Sequence, residues 1–160
     1  MTFVTHQPMP CNGQTAQSIF KKIEEIYMGE KMDRKYYARK NEEARSYSHA
    51  VKVKGGTAVY LAGVVNRDKD GKAVKGDFPL QARTAFERLR ENIESCGGAL
   101  DDIVTMTVFI TDPRYGDSFV TVRSEFFKQG HYPASALITV SALAHPDYCI
   151  EIQAIAVLEN

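Results

Sequence analysis

The sequence predicts an α+β domain in which the elements after residue 45 follow the order β-β-α-β-α-β-β. Five segments alternate apolar and polar residues, as half-buried strands do, and two segments between them repeat apolar residues at helical spacing. Glycine pairs at 55–56 and 97–98 supply turns. Because two helices can cover only one face of a sheet, the predicted architecture is one mixed sheet covered by two helices.

The composition is that of a globular protein and argues against several functional classes. Of the 160 residues, 44% are hydrophobic and 25% are charged, and 20 Lys+Arg balance 20 Asp+Glu. A net charge of zero argues against a dedicated nucleic-acid or membrane-surface protein. No apolar run has membrane length, and residues 1–17 show no signal-peptide pattern. The three cysteines have no metal-ligand spacing, which predicts reduced thiols in the cytoplasm.

Residues 1–45 form a predicted N-terminal extension, and residues 46–160 form the predicted domain. An apolar stripe at helical spacing predicts a helix within the extension. Its members are Ile19, Phe20, Ile23, Ile26 and Tyr27. The charge-rich residues 30–45 would continue this helical region as a solvated face. The stretch KMDRKYYARK (31–40) mixes cations with tyrosines, as RNA-binding segments do, but glutamates on both sides cancel its charge.

The domain begins with a predicted hairpin, SYSHAVKV and AVYLAGVV joined by GG. Asp77 would cap a helix from about Pro79 to Ser95, which the sequence CGG would end. The remaining predicted elements are a strand over 102–111, a helix over 117–127 and strands over 135–143 and 148–158.

The last predicted strand has two unlike faces. Ile150, Ile152, Ala154 and Ala156 suit packing under the helices. The opposite face of this strand, together with the same face of the preceding strand 102–111, carries both polar and apolar residues. This set is Thr105, Thr107, Phe109, Thr111, Cys149, Glu151, Gln153, Ile155 and Val157. It is too apolar for water and too polar for a core, so we expect a subunit interface there.

Five segments together resemble the RidA/YjgF family. They are YSHAV (47–51), AGVV (62–65), QARTAFERLRENIESCGGALDDIVTMTVFITD (81–112), YPAS (132–135) and IEIQAIAV (150–157). The resemblance implies a chorismate-mutase-like fold and a homotrimer with pockets between subunits. Well-studied members hydrolyse reactive enamines and imines to keto acids and ammonia. Some relatives deaminate aminomuconates in aromatic degradation, others have no known reaction, and some carry an endoribonuclease label.

The resemblance assigns roles to particular positions. Tyr47 matches a pocket tyrosine, Gly63 a glycine whose backbone approaches the ligand, and Glu151 an acid near the attacking water. Deaminating members have arginine after Pro-Ala, where a two-pronged, charged contact holds the substrate carboxylate. This chain has Ser135 at that position. A serine hydroxyl carries no charge, so the usual deamination of 2-imino acids is expected to be weak.

Three other side chains are candidates for the site. His49, where the family commonly has glutamine, could exchange a proton near neutral pH or be a packed or solvated strand residue. Arg123 and Arg83 could replace the missing cation, or both could be surface arginines of charged helices. Ser135 itself could bind substrate or only fill the start of its strand.

These residues and the resemblance together predict an enzyme that releases ammonia from an enamine, an imine or an amine-bearing acid. Glu151 would position and deprotonate water, Tyr47 and the Gly63 backbone would orient the substrate, and His49, Ser135 or Arg123 would add contacts. No metal or organic cofactor is required, because an imine carbon is already electrophilic. The residue at 135 and the extension favour a specialised substrate, such as an aminomuconate- or arylamine-type intermediate of aromatic catabolism. The alternatives are a non-catalytic trimer that binds a metabolite and an RNA-cleaving protein.

Overall fold

The computed structural model describes residues 17–21 and 31–159. The strands are β1 (Asp33–Tyr37), β2 (Ala50–Lys54), β3 (Thr57–Val65), β4 (Ile103–Ile110), β5 (Ala134–Thr139) and β6 (Ile150–Leu158). The helices are α1 (Lys40–Glu43), α2 (Phe78–Ser95) and α3 (Gly116–Phe126), and residues 17–21 are also helical. From β2 onward these elements follow the predicted order β-β-α-β-α-β-β, which confirms the α+β class.

The central sheet has the strand order β3-β6-β4-β5. Strand β6 runs antiparallel to both β3 and β4, whereas β5 runs parallel to β4, so the sheet is mixed as predicted. Helix α2 packs on β3, β6 and α3, and the core lies between these helices and the sheet. The side chains predicted to lie under the helices, Ile150, Ile152, Ala154 and Ala156, are all buried. The alternation along β6 therefore separates a helix-covered face from an open face.

Helix α2 confirms the sequence pattern at both ends and along its buried side. Asp77 caps it by accepting a hydrogen bond from the backbone N–H of Leu80 at 3.0 Å. The chain leaves the helix through Gly97, whose φ of +82° suits glycine. The apolar residues that recur at helical spacing along this side, Ala82, Ala85, Phe86, Leu89 and Ile93, are all fully buried.

Two predictions about the chain around β2 are wrong. The hairpin with β3 does not form, because β2 pairs antiparallel with β1 while β3 pairs with β6. The residues expected to continue the first helix form β1 and the single turn α1 instead. Tyrosines favour a strand when a partner strand is present, and that partner is a later segment of the chain. The predicted boundary between the extension and the domain, at residue 46, stays a proposal. Strand β1 precedes this boundary and its partner β2 follows it.

The apolar stripe of the first predicted helix is described only in part. Ile19 and Phe20 lie in the helical residues 17–21 and are 47% and 67% exposed. Ile23, Ile26 and Tyr27 lie outside the described residues. No helix in the described part of the chain is long and apolar enough to cross a membrane.

Arg34 connects β1 to one end of the central sheet through hydrogen bonds and an ion pair. Its guanidinium pairs with Asp102 Oδ1 at 3.1 Å and donates to the carbonyl oxygens of Asp101 and Val157 at 2.5 and 2.7 Å. The side chains of Arg34 and Asp102 are only 13% and 25% exposed. A charged hydrogen bond shielded from water to this degree stabilises more than a fully exposed ion pair does.

Arg34→Ala is expected to destabilise the protein, because it removes the guanidinium donor from Asp102 Oδ1 and from two carbonyl oxygens. A loss of about 1–3 kcal/mol corresponds to a fall in Tm of roughly 3–10 °C for a domain of this size. Thermal unfolding followed by circular dichroism measures it. The control is Lys52→Ala, an exposed residue of the neighbouring β2. Equal Tm values for the two variants would show that the Arg34 contacts do not stabilise the fold.

Candidate functional site

Three of the predicted site residues meet in one cleft between α3, the start of β5 and the turn before β2. We call it the arginine cleft. It has a volume of about 240 Å³ and is lined by Arg45, Tyr47, Val120, Arg123, Ser135 and Leu137. Nη1 of Arg123 donates to Ser135 Oγ at 2.6 Å, and the guanidinium carbon lies 5.9 Å from the ring centroid of Tyr47. A positive charge therefore stands beside the position at which the sequence lacks arginine.

The Arg123 side chain is a buried cation with neutral partners. It is only 3% exposed. Besides Ser135, it donates from Nε to Ser46 Oγ at 3.1 Å and from Nη2 to the carbonyl oxygen of Arg45 at 2.8 Å. None of the ion pairs found in the described part of the chain includes Arg123. Burial, and after it the nearby charge of Arg45, lowers the pKa of Arg123 to about 10.

A turn with a rare backbone conformation holds two of these hydrogen-bond acceptors. Ser46 has a φ of 56°, and no other non-glycine residue among those described has a positive φ. Such a conformation costs free energy, so surrounding contacts must hold it. Ser46 Oγ donates to the carbonyl oxygen of Val120 at 3.0 Å, and Ser48 bridges to the first residue of β5. The predicted strand over this region therefore begins later, at Ala50, and Tyr47 lies in the segment that precedes it.

Gly63 and Glu151 meet in a second cleft on another part of the molecule, which we call the glutamate cleft. It has a volume of about 210 Å³. Its lining residues are Gly63, Val64, Val65, Arg67, Arg88, Asn92, Ala144, Tyr148 and Glu151. A Cβ atom at Gly63 would lie 2.1 Å from Glu151 Oε1, so the carboxylate occupies the space that any other residue would need. The β3–β6 register also shifts between Leu61 and Val64, next to Gly63.

The two clefts lie apart within one protomer. Ser135 is opposite Met106, on the helix-covered face, whereas Glu151 is opposite Phe109, on the open face. β4 lies between β5 and β6, and the two positions are three residues apart along the strands. Standard strand spacings then place the two backbone positions roughly 14 Å apart. A small substrate cannot contact both side chains in the same protomer.

Two other candidates have partners outside these clefts. Nδ1 of His49 lies 2.7 Å from Glu42 Oε2, and His49 is among the lining residues of neither cleft. Hydrogen bonds from the Arg39 backbone and from His49 lower the pKa of the buried Glu42. Arg83 forms a two-pronged ion pair with Glu125 on the surface, at 2.8 and 2.7 Å. Arg83 is therefore a surface arginine, and Arg123 is the one that reaches Ser135.

Sequence reasoning missed several residues that complete the clefts. Arg45 contributes a second cation to the arginine cleft, and Ser46 supplies an acceptor. Arg67, Arg88 and Tyr148 line the cleft that contains Glu151. Arg45 and Ser46 directly precede Tyr47 in the sequence, and this adjacency could have indicated that they lie near the site. The other three lie in loops and on a helix, and only the folded chain brings them to Glu151.

Comparison with known proteins identifies the family. The family model described as Endoribonuclease L-PSP matches residues 38–158. A RutC family protein of Pyrococcus abyssi is 35% identical over 114 residues, which are 71% of this chain and 87% of that protein. A 2-iminobutanoate/2-iminopropanoate deaminase of Dermatophagoides farinae is 31% identical over 114 residues, 71% of this chain and 86% of that protein.

Solved structures agree with this assignment. The Rid family protein YyfB of Yersinia pestis, whose function is described as unknown, matches with a TM-score of 0.73 at 26% identity, over 78% of this chain and 98% of that chain. RidA of an Antarctic Psychrobacter matches with a TM-score of 0.60 at 32% identity, over 71% and 89% of the two chains. This chain therefore shares the fold of these Rid structures. The chain belongs to the RidA/YjgF family.

Proposed function

We propose that this protein hydrolyses an imine, an enamine or a related amine-bearing acid and releases ammonia, with Glu151 as the general base. The observation that carries the proposal is the contact between Glu151 and Gly63 in the glutamate cleft. The resemblance assigns to these two positions the acid near the water and the backbone near the ligand, and the carboxylate lies directly against that backbone. One relative bears the name of an imine deaminase, which supports the same reaction class.

The proposed reaction needs one water and one group that can carry a proton. Glu151 accepts a proton from water while the hydroxide oxygen bonds to the imine carbon and the C=N π electrons move to nitrogen. Glu151 returns this proton to the nitrogen, which gives the neutral carbinolamine. Glu151 then accepts the hydroxyl proton as C=O forms and passes it to the same nitrogen, which leaves as ammonia when the C–N bond breaks. An enamine substrate would first gain a proton at carbon and lose one from nitrogen, which gives the imine. Tyr47 and the Gly63 backbone would orient the substrate, and a metal or organic cofactor would not be required.

We propose that the working pocket lies between subunits of a homotrimer. The separation of the two clefts supports this, because the arginine cleft of one protomer could face the glutamate cleft of the next. The open sheet face supports it too, since Thr105, Thr107 and Ile155 there are neither buried nor fully exposed.

The homotrimer is expected to have a mass of three 17.9 kDa chains in solution. The half-exposed open face is the physical reason, because association would remove its apolar area from water. Light scattering coupled to size exclusion, at micromolar protein concentration, measures the mass. A monomer under these conditions would rule out a pocket shared between subunits.

Ammonia release tests the proposed reaction. A panel of 2-imino acids generated in place, aminomuconates and arylamine-derived acids would be offered to the protein, with ammonia detected by a coupled assay. Release that requires Glu151 supports the enzyme. Binding of these compounds without release would favour the non-catalytic metabolite binder. The RNA-cleaving alternative would require a salt-dependent shift of RNA by the protein.

A further inference from the structure

We infer that the arginine cleft is a carboxylate-binding site whose cation is supplied by Arg123 of α3, and that Ser135 is the positioning residue that leaves room for that guanidinium. The inference deepens the proposed function, on which it rests for the identity of the bound acid. It differs from the family arrangement, in which the cation belongs to the residue after Pro-Ala, at the start of β5.

The charges in the arginine cleft favour the binding of an anion. Arg123 is 3% exposed, and removing an unpaired charge from water is expensive. The nearby carboxylates are already engaged, since Asp117 pairs with Arg45 at 3.1 Å and Glu125 pairs with Arg83 at 2.7 Å. Arg45 also lines the cleft, but Asp117 already offsets its charge. A ligand anion would therefore gain mainly the attraction of Arg123 and relieve the cost of burying that guanidinium.

The hydrogen-bonding capacity of Arg123 fits a carboxylate. A guanidinium has five N–H groups, of which three here donate to Ser46, Ser135 and the Arg45 carbonyl. One N–H on Nη1 and one on Nη2 have no acceptor among residues 17–21 and 31–159. Two such groups on adjacent nitrogens can make the two-pronged contact that carboxylates favour. The guanidinium carbon also lies 4.8 Å from the ring centroid of Phe119 and 5.9 Å from that of Tyr47, within the range of cation–π attraction.

Ser135 and Arg123 depend on each other. The serine Oγ lies 2.6 Å from Nη1, so a longer side chain at position 135 would enter the space of the guanidinium. An arginine there would also set two like charges against each other, with Arg45 as a third. Ser135→Arg alone is therefore expected to weaken acid binding, although the resemblance alone suggests that it would improve it. Combining Ser135→Arg with Arg123→Ala would transfer the cation to β5 and is expected to restore binding.

Acid binding can be measured without turnover. The probe is 2-oxobutanoate, with its neutral amide as the matched ligand, titrated by isothermal calorimetry into the full-length wild-type protein. We expect the acid to bind at least tenfold more tightly than the amide. Arg123→Gln should weaken acid binding roughly ten- to a hundredfold, and Arg123→Lys should keep part of it. Arg83→Gln, a surface control, should bind as wild type does.

The outcomes separate the two proposals. Equal binding of acid and amide to the wild type, or unchanged acid binding by Arg123→Gln, would overturn the carboxylate site. If Arg123→Gln does not fold, the two Ser135→Arg variants decide, and failure of the added Arg123→Ala to restore binding would overturn the site. Selective acid binding without ammonia release from any substrate would leave this site standing and remove the proposed reaction. Ammonia release without acid selectivity would do the reverse.

Discussion

Glu151→Gln is expected to lower ammonia release by about a hundredfold or more, the usual contribution of a general base. Glutamine keeps the shape and most hydrogen bonding of the side chain but cannot accept a proton from water. Its amide would still occupy the space over Gly63, where a Cβ atom would lie 2.1 Å from the carboxylate oxygen. Folding and oligomeric mass should therefore be unchanged. Single-turnover and steady-state assays with the identified substrate, together with Tm and light scattering, measure these quantities.

The matched control is Glu94→Gln, which removes one exposed carboxylate from α2. It changes the net charge by the same amount and should leave the rate unaltered. A normal rate for Glu151→Gln would show that Glu151 has a structural role, and the base would then be sought at Tyr47 or at His49. Because His49 is bonded to Glu42, a histidine base would predict a lower rate for Glu42→Gln as well.

Mixed trimers of Glu151→Gln and Arg123→Gln are expected to regain activity that neither variant has alone. If each pocket combines Arg123 of one protomer with Glu151 of the next, every trimer containing both variants has one intact pocket. Random assembly from equal amounts makes about three quarters of trimers mixed, so the expected rate is about a quarter of the wild-type rate. This recovery exceeds the residual rate of about one per cent or less expected for Glu151→Gln. It also exceeds the rate of about one to ten per cent expected for Arg123→Gln at low substrate concentration.

In the first sample the two variants would be refolded together. In the second sample each variant would be refolded alone, and the two would be mixed and assayed before subunits can exchange. Only the first sample should recover activity. No recovery in either sample, with trimers shown to be mixed by mass spectrometry of differently tagged chains, would contradict a pocket shared between these two clefts. Recovery would also show that the arginine cleft of one protomer faces the glutamate cleft of the next. Within one protomer these clefts are about 14 Å apart, so only assembly can bring them together.

The parts of the fold that the sequence predicts correctly have periodic patterns and local signals. Helix α2 has a cap at Asp77, an apolar stripe and a glycine exit, and β6 alternates cleanly from Ile150 onward. The errors at β1 and β2 have a different origin. The segments on both sides of Gly55–Gly56 have the pattern of strands, but their pairing partners are decided by the rest of the sheet. Local pattern cannot decide between two compatible partners.

Local sequence pattern also fails to predict which residues meet in the candidate site. Arg83 and Arg123 lie on charged helices and are equivalent as sequence, yet one pairs with Glu125 on the surface and the other is buried against Ser135. The turn at Ser46 has no sequence signature of its unusual backbone, because serine rarely adopts a positive φ. The meeting of Gly63 with Glu151 could be expected only from the resemblance, since the two residues are far apart in the sequence.

The place of the guanidinium on α3 bears on how proteins of this kind are sorted by sequence. A rule that inspects only the residue after Pro-Ala would score this chain as lacking positive charge in its pocket. The guanidinium of Arg123 nevertheless donates to that very residue at 2.6 Å, from twelve positions earlier in the chain. Long, flexible side chains can thus deliver the same charge to one point in space from different secondary-structure elements. A classification based on the position of a charge in space, rather than on its column in a sequence alignment, would place this chain beside members that have arginine after Pro-Ala.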